Sequence, residues 1–191
     1  MSKIRFATAR DVFEAFPSAA EDIAATPGIE TPLAFIEAQA AGPTPEDAIG
    51  FCAYVLPRRE AVWWACKCLS ALCPPRDASE EASQLAAEAW VREPEDAVRR
   101  QALKTAETGR KTAPHTWAAF AAGWSGGSMT LDAQSVPPPA HLTGACVRIC
   151  VLNALATVPA RDRARHIASC IAGALSLLGA TPTRPGRQQG R

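Results

Sequence analysis

Apolar residues recur along most of this chain at spacings of three, four and seven positions, which place them on one face of an α-helix. Trp117, Phe120, Ala121 and Trp124 form one such stripe. Thr31-Pro32 precedes another apolar segment, where threonine can cap a helix and proline suits its first turn. Alanine is abundant and β-branched runs are few, so the pattern predicts an all-α protein.

Proline and glycine residues between the apolar segments predict where the helices begin and end. Residues 31–179 are expected to form a single compact domain of seven or eight helices, and residues 128–139 its longest loop. Residues 1–30 are interpreted as a loosely structured entry with short helices. Residues 180–191 are basic and rich in proline, glycine and glutamine, which predicts a disordered tail. A chain of 191 residues can bury one substantial core.

The segment from Arg58 to about Leu72 carries two of the five tryptophans. On a helical wheel, Trp64 falls in a broad apolar arc, whereas Trp63 falls on the narrower polar arc beside Arg59 and Lys67. Trp63 is therefore either covered by a neighbouring helix or exposed as an aromatic anchor, and we expect it to be covered. A cation–π contact with a flanking cation is available in both cases.

The next two helices are the most polar of the chain and are expected to form an outer hairpin. Their exposed charges are expected to be Arg92, Arg99, Arg100 and Lys104. Asp77 with Glu80 three residues later has the form of a capping box. We attribute acidic pairs such as Glu80-Glu81 to helix capping, because acids in a first turn complement the helix dipole.

Seven cysteines lie among alanine, leucine, isoleucine and valine, where cysteine usually behaves as a small core residue. The first residues run into charged sequence without an apolar signal-peptide region, so we expect a reduced, cytoplasmic protein. The longest apolar segment, residues 145–158, is interrupted by Arg148 and Asn153. It is too short to cross a bilayer, so no membrane insertion is expected.

Charge is polarised along the chain although the net charge is only +1. Acidic residues dominate residues 1–56 and arginines dominate residues 148–191. The two ends could contact each other within the fold, which we favour, or the basic end could bind nucleic acid. The arginines available for nucleic acid are Arg161, Arg163, Arg165, Arg184, Arg187 and Arg191.

The sequence contains no complete motif for a metal, cofactor or catalytic site. Cys66 and Cys68 point about 200° apart on a helix, and the pairs Cys146/Cys150 and His166/Cys170 lack the second half of a zinc site. His115, His141 and His166 have no triad context, and no phosphate-binding glycine motif occurs. We expect no metal and no cofactor, which makes an enzyme the third of three hypotheses.

One internal similarity links two distant helices. The Pro57-Arg58-Arg59-Glu60 stretch with Cys68 matches Pro159-Ala160-Arg161-Asp162 with Cys170 at a constant offset of 102 positions. Two helical hairpins of related design would explain it, and so would chance.

Three blocks carry a resemblance to a known family: residues 58–65, residues 89–94 and residues 124–128 before the proline-rich loop. They resemble a family of uncharacterised bacterial helical proteins over most of residues 30–180. The resemblance implies an all-helical cytoplasmic protein associated with type VI secretion gene neighbourhoods, and it transfers no functional residue.

We therefore hypothesise a non-enzymatic adaptor or chaperone-like accessory protein that binds a protein partner. Aromatic and cationic residues recur at protein interfaces, which supplies the candidate docking surface. Its residues are Arg58, Arg59, Trp63, Lys67 and Trp124.

Overall fold

A computed structural model describes residues 4–132 and 135–180. The tail that the sequence predicts to be disordered, residues 180–191, lies outside these ranges except for its first residue. The described residues form α-helices joined by turns and loops, without a strand. This confirms the predicted all-α class. The helices within the described ranges are α1 (Ala9–Ala15), α2 (Ala19–Asp22), α3 (Pro32–Ala40), α4 (Glu46–Val55), α5 (Arg58–Leu72), α6 (Ala78–Arg92), α7 (Asp96–Thr108), α8 (Pro114–Gly123), α9 (Leu142–Ala156) and α10 (Ala160–Leu177).

Most helices begin where a capping residue or a proline stands. The Thr31 hydroxyl accepts the Ala34 N–H at 3.3 Å, with Pro32 in the first turn of α3. Pro57 and Pro159 immediately precede α5 and α10, both in extended conformation with ψ of 148° and 139°. A proline there fixes φ without leaving an unpaired N–H, so both helices start at a defined residue.

The centre of the domain is the pair α8 and α9. Helix α8 packs against α5, α6, α7 and α9, and every residue of α8 except Trp117 is buried. Most of these residues are alanine or glycine, which lets neighbouring helices approach closely. Helix α9 also packs against α4 and α5, as its nearly continuous apolar pattern predicts. All seven cysteines are free and buried, which confirms their prediction as core residues.

An aromatic cluster joins the first part of the chain to this core. The rings of Phe35 and Phe51 are 4.5 Å apart, and Phe13 stacks on Phe51 at 5.9 Å. The Arg148 guanidinium of α9 lies 3.2 Å from the Asp22 carboxylate and donates to the Asp22 carbonyl at 2.9 Å. This pair brings the acidic and the basic ends of the chain together at one point.

Arg99 corrects one sequence-based expectation, because it is only 4% exposed. Its guanidinium donates to the carbonyls of Gly123 at 2.7 Å and Ser128 at 2.9 Å, and contacts the Asp96 carboxylate at 2.7 Å. The loop after α8 folds over it, and Gly127 approaches with a positive φ of 59°. Arg92, Arg100 and Lys104 are exposed as expected.

No helix within residues 4–132 and 135–180 is both long enough and apolar enough to cross a membrane.

We predict that Gly123→Ala destabilises the protein by about 1–3 kcal/mol, because a methyl group cannot fit between α7 and α8. A Cβ at Gly123 would lie 2.8 Å from the Leu103 Cα, which is backbone and cannot rotate away. Urea unfolding followed by circular dichroism measures the change. Gly126→Ala is the matched control, since nothing lies within 4 Å of its Cβ position. Equal unfolding midpoints for the two variants would refute the tight α7–α8 contact.

Candidate functional site

An open groove of about 420 Å³ lies on the surface around Trp63. We call it the Trp63 groove. Helix α5 supplies one wall, the end of α6 the second, and the end of α10 the third. The residues that line it are Arg59, Glu60, Trp63, Val91, Arg92 and Leu177.

Arg59 is fixed in this groove by the end of α6. Its Nε donates to the Val91 carbonyl at 2.7 Å, and Nη2 is 3.5 Å from the Arg92 carbonyl. The last carbonyls of a helix have no intrahelical partner and carry the negative end of its dipole, so a guanidinium is well suited to them. Arg59 thus joins α5 to α6 and forms a rigid, cationic part of the groove wall.

Trp63 is half-buried, between the two states that the sequence allowed. Its ring packs against the hydrophobic core yet also lines the groove. The Lys67 Nζ lies 4.2 Å from the centre of the Trp63 indole, within cation–π distance. The indole is therefore held in place while part of its surface stays accessible. Trp64, by contrast, is 2% exposed, as the wheel predicts.

The rim of the Trp63 groove carries more cationic than anionic side chains close to the indole. Arg92 is 67% exposed and its guanidinium is 3.8 Å from the Glu88 carboxylate. An exposed pair at that distance contributes little to stability, so Arg92 can exchange Glu88 for another carboxylate. Lys67 is exposed as well.

Arg58 and Trp124 do not line this groove but lie together at the loop after α8. The Arg58 Nη1 donates to the Ser125 carbonyl at 2.8 Å. The half-buried Trp124 stacks on Phe120 with ring centres 4.5 Å apart, and its indole N–H donates to the Met129 carbonyl at 3.2 Å. The five candidate residues therefore lie in two places. Arg59, Trp63 and Lys67 are at the Trp63 groove, whereas Arg58 and Trp124 hold the loop after α8.

Sequence reasoning missed a buried ionic cluster beneath α6 and α8. Glu80 is 1% exposed, and its carboxylate accepts the Arg76 N–H at 2.9 Å and the Arg110 Nη2 at 2.8 Å. The His115 Nδ1 lies 3.7 Å from the same carboxylate, while Nε2 is 2.8 Å from the Cys73 carbonyl. Asp77 completes the cluster through Arg110 at 2.7 Å. Capping alone does not explain Glu80, which corrects the sequence interpretation.

Electrostatics define the charge states in this cluster. Burial opposes ionisation of Glu80, but the hydrogen bonds and the positive charge of Arg76 keep the pKa of its carboxyl below the ordinary value. Burial lowers the pKa of the His115 imidazole, outweighing the Cys73 carbonyl and the Glu80 charge, which raise it. The arrangement pairs an ionised carboxylate with a neutral imidazole whose Nε2 donates to Cys73.

The buried ionic cluster has a structural role, because it holds neighbouring helices together. Glu80 and His115 are nearly fully enclosed, which leaves no room for a substrate at either group. The capping spacing of Asp77 and Glu80 was visible in the sequence, but Arg110 and His115 become their neighbours only through the α7–α8 turn. Among the described side chains, no group of three or more His, Cys, Asp and Glu residues could hold a metal ion.

Comparison with known proteins gives one match. The model of a family of unknown function, DUF6931, matches residues 35–178, which is most of the chain. The chain belongs to this family. The matched part of DUF6931 contains the Trp63 groove and the buried ionic cluster, and it excludes α1 and α2. This confirms the resemblance to an uncharacterised family. No curated protein and no solved structure matches the chain.

We predict that Glu80→Gln lowers the free energy of unfolding by about 1–3 kcal/mol, because the charged hydrogen bonds from Arg76 and Arg110 lose their ionised acceptor. Glu81→Gln, on the same helix turn but exposed, should change it by less than about 0.5 kcal/mol. Chemical denaturation at neutral pH gives both values. If the Glu80→Gln variant is as stable as the Glu81→Gln variant, the buried ionic cluster does not stabilise the fold.

Proposed function

We propose that the chain is a non-enzymatic interaction protein, an adaptor or chaperone-like accessory, that docks a partner segment in the Trp63 groove. The observation that supports this most is an accessible indole with the Lys67 Nζ 4.2 Å from its ring centre, in a groove whose Arg59 is bonded at 2.7 Å to the end of α6. A preformed groove binds with little ordering cost, which favours a defined partner.

The chemistry of the groove indicates what the partner segment carries. Trp63, Val91 and Leu177 provide an apolar floor, and Arg59, Lys67 and Arg92 provide cations around it. A complementary segment inserts one large apolar or aromatic side chain and places carboxylates on either side. A short amphipathic helix or extended peptide of this composition meets both requirements.

The family resemblance suggests a biological setting for this partner. Bacterial helical proteins of this kind are associated with type VI secretion gene neighbourhoods, so the proposed partner is a component of such a system. Recovery of one of its proteins with the chain from native cells would support that setting, provided that recovery depends on Trp63.

A second candidate function is binding of nucleic acid through α10. Arg161 and Arg165 are 86% and 76% exposed, and both lie near the single carboxylate of Asp162, at 3.5 and 3.8 Å. They therefore carry more positive charge than the structure neutralises locally. Arg184, Arg187 and Arg191 of the same proposal lie outside the described residues. Salt-sensitive retardation of DNA or RNA would favour this alternative.

We predict that peptides selected from a random phage-displayed library on the full chain share an apolar anchor flanked by Asp or Glu. Arg92→Glu should weaken a selected peptide at least tenfold in calorimetric titration, because it places a negative charge at the exposed rim without altering the core. Trp63→Ala should weaken it similarly by removing the floor of the groove. Melting curves establish that each variant is folded.

Leu85→Ala is the matched control, since Leu85 is 51% exposed on α6 and does not line the groove. It should bind the selected peptide like the unmodified chain. Selected peptides without acidic residues, or equal affinity for the Arg92→Glu variant, would contradict the docking proposal.

A further inference from the structure

A second groove, of about 160 Å³, lies between α5 and α10 and contains two cysteines. We call it the dithiol groove. Cys68 comes from α5 and Cys170 from α10, and they are 5% and 6% exposed. Lys67 and His166 line the same groove. Neither thiol has a role in the Trp63 groove or in the buried ionic cluster.

The two cysteines lie where α10 packs on α5. The Trp64 indole N–H donates to the Cys170 carbonyl at 2.9 Å, and Cys68 follows Trp64 by about one turn on the same side of α5. Interaction with Cys68 lowers the pKa of the Cys170 thiol, while interaction with Cys170 together with burial raises that of Cys68. Both cysteines line the one groove between the two helices.

Cys170 is the better candidate for the thiolate, because its interaction with Cys68 outweighs burial and lowers the pKa of its thiol. Four other cysteines sit deeper in apolar surroundings. Burial raises the pKa of Cys66 and Cys146 to about 12, and it raises those of Cys52 and Cys150 as well. These four thiols are inert by comparison.

The internal similarity of the sequence places this pair at equivalent positions. Cys68 stands eleven residues after Pro57, and Cys170 eleven residues after Pro159. Both prolines precede the first residue of a helix, so each cysteine lies about 16 Å along its own helix. The offset of 102 positions therefore has a structural counterpart in two matched helices whose cysteines meet.

We propose that Cys68 and Cys170 form a peroxide-sensitive dithiol that oxidises to a disulfide joining α5 to α10. In the first step, the Cys170 thiolate attacks one oxygen of hydrogen peroxide. An S–O bond forms, the O–O bond breaks, and hydroxide leaves and is protonated to water. The sulfur becomes a sulfenic acid.

In the second step, the Cys68 sulfur attacks the sulfur of the sulfenic acid. The S–S bond forms and the S–O bond breaks, and the leaving hydroxide takes the proton of Cys68 as water. Two thiols and one peroxide thus give one disulfide and two waters, with two electrons passing to peroxide. A thiol reductant reverses the reaction.

The Cys68–Cys170 disulfide would also affect the Trp63 groove. Trp63 belongs to α5 and Leu177 to α10, so the disulfide joins two walls of the Trp63 groove covalently. The proposal itself does not depend on partner docking, because the oxidation can be measured on the isolated chain.

The test is treatment of the reduced full chain with a small excess of hydrogen peroxide, followed by denaturation, alkylation and tryptic mapping without reductant. We expect the free thiols to fall from seven to five. Residues 68–76 should appear linked to the peptide that starts at His166, because trypsin cleaves after Lys67 and Arg165. Dithiothreitol should restore all seven thiols.

Variants separate Cys68 from Cys73, which lies on the same tryptic peptide. Cys73→Ala should retain the link, as should the control Cys52→Ala, whereas Cys68→Ala should abolish it. The tryptic map of the unsubstituted chain does not depend on any variant, so it still tests the proposal if a cysteine variant fails to fold. Absence of the link, a link through Cys73, or conversion of Cys170 to a sulfinic acid without a link would each overturn the proposal.

Discussion

The carboxylate of Glu80, enclosed with His115 beneath α6 and α8, is the constraint on which the surrounding helices depend. A buried charge is costly unless its hydrogen bonds are made, so the groups that make them must be held in place. Those groups come from the turn after α5 and from the α7–α8 turn, while His115 of α8 packs beside the carboxylate at 3.7 Å and donates to the Cys73 carbonyl at the end of α5. The cluster therefore fixes the relative positions of four successive helices at one point.

Arginines perform a related task elsewhere in the domain by donating to main-chain carbonyls. Arg99 closes the loop after α8, Arg58 reaches Ser125 in the same loop, and Arg59 holds the end of α6. Carbonyls beyond a helix end need partners, and the guanidinium supplies several donors in a planar array. Much of the cationic character near Trp63 is thus structural, and Lys67 and Arg92, which are exposed and only weakly engaged, are the charges best placed to meet a ligand.

Local rules predicted much of the fold from the sequence. Threonine and proline marked the start of α3, prolines preceded α5 and α10, and the apolar periodicity identified the buried face that holds Trp64. These signals act within a few residues. The apolar character of α9 likewise indicated its central position, because a helix without a polar face must be surrounded.

The sites could be predicted only in part, because their contacts join distant segments. Arg99 looked like a surface charge, and its acceptors at Gly123 and Ser128 are more than twenty positions away. A helical wheel placed Trp63 on a polar arc but could not show that α6 and α10 border it. The pairing of Cys68 with Cys170 likewise requires the packing of α10 on α5.

The most direct test of the central constraint is the protonation of His115, followed as a function of pH by nitrogen-15 NMR of the imidazole. Because burial lowers the pKa of this imidazole, we predict a titration midpoint below that of an ordinary histidine. The proton of the neutral ring should lie on Nε2, toward the Cys73 carbonyl, and the variant His115→Gln identifies the signal by removing it. A midpoint at or above that of an ordinary histidine would contradict this picture, because the cluster would then be a buried ion pair.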